Sequence, residues 1–235
     1  MVSQRMFDIN QFSRDFRKSK RVVIVGSSGS GKTFFASYLT IKISNHARIP
    51  VLIVDTKREK KFRKTPLVNE YWINNPIPSK RRIADISFGN EIIRDYRVSE
   101  FACAAAWAIS HCVVYIEEIV EHVSKNSVSF PQSNPLLYKV LQQGRERGVS
   151  VIVATQRVAQ LNLSFVDEAT DIFIFRVNSR EAKFIEDSFR LLKNSIDFEN
   201  VQDFSFYHVA QGKNPVLYRP LKVPNAKSLM NEENE

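Results

Sequence analysis

The chain has 235 residues, 43% of them hydrophobic, and its 34 basic and 25 acidic side chains leave a formal net charge of +9. That balance excludes wholesale disorder and collagen-like repeats, and a chain of this length buries enough surface to fold without a disulfide or metal staple. The longest apolar stretch, Ala102 to Ile109, is about half of what a membrane span requires, and the opening segment MVSQRMFDINQFSRDF lacks the apolar core of a secretory signal.

In chain order, RVVIVG (Arg21 to Gly26) is a fully apolar run suited to a parallel strand covered on both faces. Helical spacing follows over Lys32 to Asn45, then a strand, VLIVDT (Val51 to Thr56). A polar, basic stretch to about Asn90 reads as an insertion with short elements, and the alanine-rich Glu100 to Ser110 as a helix. CVVYIEEI (Cys112 to Ile119) is strand-like. Asn134 to Arg147 is a helix with Pro135 in its first turn, stopped by Gly148 before the strand VSVIVATQ (Val149 to Gln156). DIFIFRV (Asp171 to Val177) is a strand, and Ser179 to Leu192 a helix opened by a serine cap. FSFYHVA and PVLYRPLKV pair as a terminal hairpin. Strands alternating with helices predict an α/β domain on a mostly parallel sheet. Residues 1–20 read as a basic extension, 21–225 as a single domain and 226–235 as an acidic disordered tail.

The positive charge is uneven. Lys57 to Lys64 carries six basic residues and one acid, Lys80, Arg81 and Arg82 form a second cluster, and Arg14, Arg17, Lys18, Lys20 and Arg21 a third. Such blocks are either solvated loop faces or contacts for a nucleic-acid phosphate backbone, and the sequence leaves both open. Cys103 and Cys112 fit no zinc spacing and read as buried reduced thiols of an intracellular protein; the four scattered histidines form no metal-ligand pattern.

Gly26-Ser27-Ser28-Gly29-Ser30-Gly31-Lys32-Thr33 matches G-x-x-x-x-G-K-[ST] in full. Small residues let the backbone wrap a polyphosphate with successive N–H groups pointing inward, and the following helix adds its positive end. Lys32 is placed to reach the β- and γ-phosphates and the Thr33 hydroxyl to ligate Mg²⁺, with Phe34 next in the nucleotide-binding segment. ATP and Mg²⁺ are the expected ligands.

Two carboxylates, Glu117 and Glu118, close the Cys112 to Ile119 strand, and strand alternation would send one to the metal and the other toward attacking water. Glu117 is assigned to Mg²⁺ and Glu118 to polarising the water. Ligand sites of parallel sheets gather at the carboxyl ends of strands, where these acids lie. Gln156 ends another strand and would sense the γ-phosphate if that strand lies between those of the phosphate loop and Glu117. Arg145 and Arg147, on the preceding helix end, either complement its dipole or supply a finger to a neighbouring subunit's nucleotide.

The set GSSGSGKT, VVYIEE, GRERGVSVIVATQR and DIFIFRVNSREAKFI resembles the FtsK–HerA superfamily of DNA-pumping ATPases, and within it the viral genome-packaging ATPases of the double-jelly-roll virus lineage. The resemblance runs from about Arg21 to Glu186. It implies a P-loop NTPase of the ASCE type with sheet order 5-1-4-3-2, helices on both faces, and ring-shaped, usually hexameric assembly around double-stranded DNA. Lys32 and Thr33 match the Walker A positions, Glu117 and Glu118 the Walker B pair, Arg145 the arginine finger and Gln156 the sensor. Glu117 departs from the family, which more often has Asp. The strand ending at Asp55 also looks like the family.

The expectation is therefore an ATP-hydrolysing DNA translocase that fills a viral capsid, working with capsid vertex proteins in the host cytoplasm or carried in the virion. The alternatives are a plasmid, conjugative or cellular DNA-translocating ATPase of the same superfamily, and a nucleoside or nucleotide kinase with KREKKFRK as its lid. A non-hydrolysing nucleotide switch is disfavoured by the paired carboxylates.

Overall fold

The computed structural model describes residues 5–54, 83–85, 96–123, 125–126, 129–189 and 196–221. Its strands are β1 (Arg21–Val25), β2 (Val51–Val54), β3 (Ile83–Asp85), β4 (Val113–Ile116), β5 (Ser150–Thr155), β6 (Asp171–Ile174), β7 (Phe206–Ala210) and β8 (Val216–Tyr218). They form one sheet in the order β3-β2-β4-β5-β1-β6-β7-β8. Counting β1, β2, β4, β5 and β6 as the five core strands, this is the expected 5-1-4-3-2. The core pairs are all parallel, and β3, from the stretch read as an insertion, adds a parallel edge beside β2. At the other edge β7 and β8 pair antiparallel, which is the expected hairpin.

Both faces of the five core strands are covered, which is why they read as nearly unbroken apolar runs rather than alternating, whereas β7 and β8 at the edge are only partly buried. The helices are α1 (Ile9–Arg14), α2 (Lys32–Lys42), α3 (Tyr96–Ile109), α4 (Phe130–Ser133), α5 (Pro135–Gln143), α6 (Ser164–Asp167) and α7 (Ser179–Ser188). Along β1, Val22 and Ile24 enter a core with Phe35 and Leu39 of α2, while Val23 and Val25 enter a second core with Ala102 of α3 and Val140 of α5. The period-two alternation of the strand thus assigns each helix its face.

The N-terminal stretch is part of this packing. Ile9, Phe12 and Phe16 are buried in the α2 core, and Phe12 meets Phe173 edge-on with centroids 5.3 Å apart. The third basic cluster is partly internal as well. The Arg21 guanidinium is buried and donates to the carbonyls of Val140 and Leu141 in the last turn of α5 and of Val149. Burial pulls its pKa down to about 10, with the neighbouring Arg145 adding to the shift. Two local expectations shift. The cap of α7 is Asn178, whose side chain accepts the Glu181 N–H at 3.0 Å, and Ser179 is the first helical residue. Cys103 and Cys112 are buried free thiols, and burial pushes the Cys112 thiol up to about 12, which keeps it unreactive.

Asp171, at the start of β6, joins three elements. Its carboxylate accepts from Lys20 Nζ, His208 Nε2 on β7 and the Thr170 hydroxyl, each at 2.8 Å. Burial alone would raise its pKa, but the bonds from His208 and Lys20, with Thr170, together hold it below the ordinary value of 3.8. A carboxyl held down in the folded state contributes stability that is in full force above its unfolded value and is lost as pH falls through the folded one. Asp171→Asn should therefore cost about 2 kcal/mol at neutral pH and shrink the loss of stability on acidification below pH 3.8. Urea unfolding midpoints at neutral and acid pH check both parts.

Candidate active site

β1 ends at Val25 and α2 begins at Lys32, so the phosphate-loop motif spans a single strand-to-helix turn. The loop is pinned on both sides: the Gly26 N–H donates to Thr155 O of β5 at 3.3 Å and the Ser27 N–H to Arg176 O beyond β6 at 2.8 Å. Two glycines are required by space or backbone. A Cβ on Gly26 would lie 2.6 Å from the Phe175 Cβ, and Gly31 has φ +102 with Phe204 2.6 Å from where its Cβ would be. Gly31 is the cap residue of α2 and no side chain caps that helix, so its first N–H groups face the loop uncapped. Lys32 is only 6% exposed and has no carboxylate partner among the described residues. The Ser30 hydroxyl is buried with no hydrogen-bond partner among the described residues. Uncapped amides, an unpaired buried ammonium and an orphaned hydroxyl form a surface that an anion would complete.

The two glutamates part by a different device from strand alternation. β4 ends at Ile116, and the Glu117 N–H still donates to Val54 O at 3.1 Å, but Glu118 turns left-handed with φ 50. For a residue with a side chain that conformation costs about 1–3 kcal/mol and persists only where the surroundings fix it. Here they do. The buried Glu118 carboxylate accepts from the Thr155 hydroxyl at 2.7 Å and from the Gln156 N–H at 3.3 Å. Glu117 instead accepts from the Thr33 hydroxyl at 3.0 Å through Oε1 and from the Tyr115 hydroxyl through Oε2. One acid faces the start of α2 and the other the end of β5.

β5 does lie between β1 and β4, the condition on which the placement of Gln156 depended. Gln156 follows directly on Thr155, which pairs with Val25 at the head of the phosphate loop. Thr155 and Tyr115 were not singled out from sequence. Tyr115 carried a signal, being two residues before Glu117 on the same strand face, whereas Thr155 is placed only by sheet order.

Arg145 and Arg147 lie at the opposite edge of the sheet. They sit on a tight turn, Gly144–Arg147, between α5 and the amino end of β5, closed by Gly148 at φ 70. Arg147 is held at home: its Nε donates to Trp107 O at 3.0 Å and its guanidinium lies 4.9 Å from the Trp107 ring centroid. Arg145 is exposed, and among the described residues its guanidinium makes one hydrogen bond, from Nη2 to Glu168 O at 3.4 Å. A six-residue strand, about 20 Å long, separates this turn from the phosphate-loop edge, so neither arginine can serve its own chain's loop. Asp55, Lys57 to Lys64, Lys80, Arg81 and Arg82 lie outside the described residues.

The sheet order, the strand–loop–helix turn and the carboxylates at the strand ends define a P-loop ATPase fold of the additional-strand type. Among solved structures the chain is similar to the genome packaging NTPase B204 from Sulfolobus turreted icosahedral virus 2 in complex with AMPPCP, at a TM-score of 0.69 and 17% identity over 88% of this chain and 100% of that one. It is also similar to VirB4 of Thermoanaerobacter pseudethanolicus, at a TM-score of 0.62 and 12% identity over 89% and 90% of the two chains. The pCW3 conjugation coupling protein TcpA follows at a TM-score of 0.58 and 12% identity, over 93% of this chain and 66% of that one. The likeness is one of fold. No family model matches the chain, and no curated protein matches it by sequence.

Proposed function

We propose that the chain is an ATP-hydrolysing double-stranded DNA translocase that packages a viral genome into a preformed capsid. The observation that carries the reading is the meeting of Thr33–Glu117 and Glu118–Thr155–Gln156 at adjoining carboxyl ends of β1, β4 and β5. In this reading Gly26, Ser27, Ser28, Gly29, Ser30 and Gly31 wrap the triphosphate and Lys32 offsets its β- and γ-charge. Glu118 takes the proton of the attacking water, held for that task by Thr155, and Gln156 bonds to the γ-phosphate. The residues present suit Mg²⁺: a hydroxyl and a carboxylate, Thr33 and Glu117, stand 3.0 Å apart as oxygen donors. When bound, the ion neutralises charge on the β- and γ-phosphate oxygens.

DNA as the second substrate is supported by the likeness to B204, a DNA-packaging ATPase of similar fold, and by the net charge of +9. The homo-oligomeric ring, the capsid vertex partner and a place in the host cytoplasm or the virion belong to the same proposal. The likeness to VirB4 and to the conjugation protein TcpA favours a second reading, a plasmid or conjugative DNA-transfer ATPase. Phosphate release measured with and without duplex DNA tests the motor: duplex DNA should raise turnover several-fold, more so at low salt. Stimulation by a nucleoside, with formation of its phosphorylated product and no response to DNA, would replace the motor by a kinase.

A further inference from the structure

Four large hydrophobic side chains are exposed among the described residues, and two of them, Phe34 and Phe204, face each other at the phosphate loop. Phe34 opens the first turn of α2 and is 40% exposed; Phe204 is 48% exposed. Their ring centroids are 6.2 Å apart at 89°, and both line a cleft of about 430 Å³ together with Gly31, Phe35, Phe175, Pro220 and Leu221. That volume falls in the range of small-molecule sites.

The segment carrying Phe204 is built onto the loop. Phe204 holds φ 65, an unusual conformation for a bulky residue, and its N–H donates to Ser30 O at 3.0 Å. Asp203 beside it pairs with Arg176 at 2.9 Å, and Arg176 O in turn accepts the Ser27 N–H. Two exposed apolar rings are thus fixed in place over the residue that ends the phosphate cradle. Exposing a bulky ring in a strained backbone lowers stability, so the arrangement has to be explained by what it holds.

We propose that this cleft seats the nucleobase and grips it by stacking and apolar contact alone, so that the site takes adenine and guanine nucleoside triphosphates alike. The proposal rests on the reading of Gly26 to Thr33 as a triphosphate cradle. Gly31 belongs to both the cradle and the cleft, so a nucleotide with its phosphates in the loop has its base within reach of the rings. Adenine and guanine differ in the donors and acceptors of their edges, and strong discrimination needs a polar group placed to read them. Every lining residue is Gly, Phe, Pro or Leu. The backbone N–H groups of Phe204 and Phe35 are already spent on Ser30 O and Gly31 O, and Pro220 has none. Aromatic stacking accepts any base because every base has a π-face.

Calorimetric titration with Mg²⁺ and ATP, GTP or inorganic tripolyphosphate separates base from phosphate binding. ATP and GTP should bind the wild-type protein within about tenfold of each other. Phe204→Ala should weaken both by about tenfold and leave tripolyphosphate unchanged, while Phe204→Trp should retain nucleotide affinity. Since Phe204 is half exposed, thermal melting of both variants should match wild type. Discrimination between ATP and GTP beyond tenfold overturns base indifference. An unchanged nucleotide affinity in Phe204→Ala, or an equal loss for tripolyphosphate, overturns the seat. If wild-type protein binds no tripolyphosphate, the cradle reading falls; if it binds tripolyphosphate as tightly as ATP, only the base seat falls.

Discussion

Glu118→Gln should lower ATP turnover by about 10²- to 10⁴-fold while nucleotide affinity stays within about threefold of wild type. The size follows from what the side chain does in the proposed reaction: it accepts a proton from water as the water attacks, and an amide cannot. The near-isosteric change leaves an oxygen to accept from the Thr155 hydroxyl at the position where Glu118 Oε1 now accepts it at 2.7 Å. The left-handed turn at residue 118 is thereby kept, and with it the position of Glu117 against Thr33. Thr155→Val provides the companion measurement. It removes the hydroxyl but not the Gln156 N–H, so it should cost less than Glu118→Gln and fall on kcat rather than KM, as expected of a positioning residue. Turnover unchanged in Glu118→Gln removes Glu118 from the chemistry. Loss of nucleotide binding along with turnover would instead give it a part in shaping the cradle.

How much of this was legible from residues alone depended on the range of the interactions. The phosphate loop is local as a pattern: Gly26 to Thr33 fall within one strand-to-helix turn and the motif announces them, although Gly26 is also crowded by Phe175 and Gly31 by Phe204, both far along the chain. The parallel core was legible because strands buried on both faces need unbroken apolar runs. Glu117 and Glu118 could be named, but not the way they separate, because nothing in a glutamate forecasts a positive φ; the turn is imposed by Thr155 from a strand that is next in space and far in sequence. Phe204 was invisible for the same reason, since its task depends on Ser30 and Arg176, each distant along the chain. Basic residues near the N-terminus read as a surface cluster, yet Arg21 is buried against α5 and Lys20 pairs with Asp171. Charge counts do not reveal which cations have internal partners. The cap of α7 shows the smallest such ambiguity: Asn178 and Ser179 are both capping types, and only the bond to the Glu181 N–H decides between them.

Arg145→Ala should abolish nearly all turnover, by about 10³-fold or more, and the lost activity should return when the variant is mixed with Lys32→Ala subunits. Each variant alone lacks one half of every site. In a mixed assembly, a chain with intact Lys32 can meet a neighbour with intact Arg145, and that interface is complete. The geometry requires this trans arrangement of any role for Arg145, because the turn that carries it lies at the amino end of β5 and the phosphate loop at the carboxyl end of β1. A site and its finger on opposite edges of one sheet are joined by head-to-tail contact, which closes into a ring when the rotation per subunit allows. Arg21 contributes by holding the last carbonyls of α5 and so fixing the start of the Gly144–Arg147 turn. Arg147→Ala serves as the contrast: it loses contacts within its own chain to Trp107, so its deficit should fall on stability and should not be restored by mixing with Lys32→Ala. If native mass measurement shows mixed assemblies and turnover stays at the level of the separate variants, Arg145 does not act on a neighbour's nucleotide, and its exposure must serve another contact.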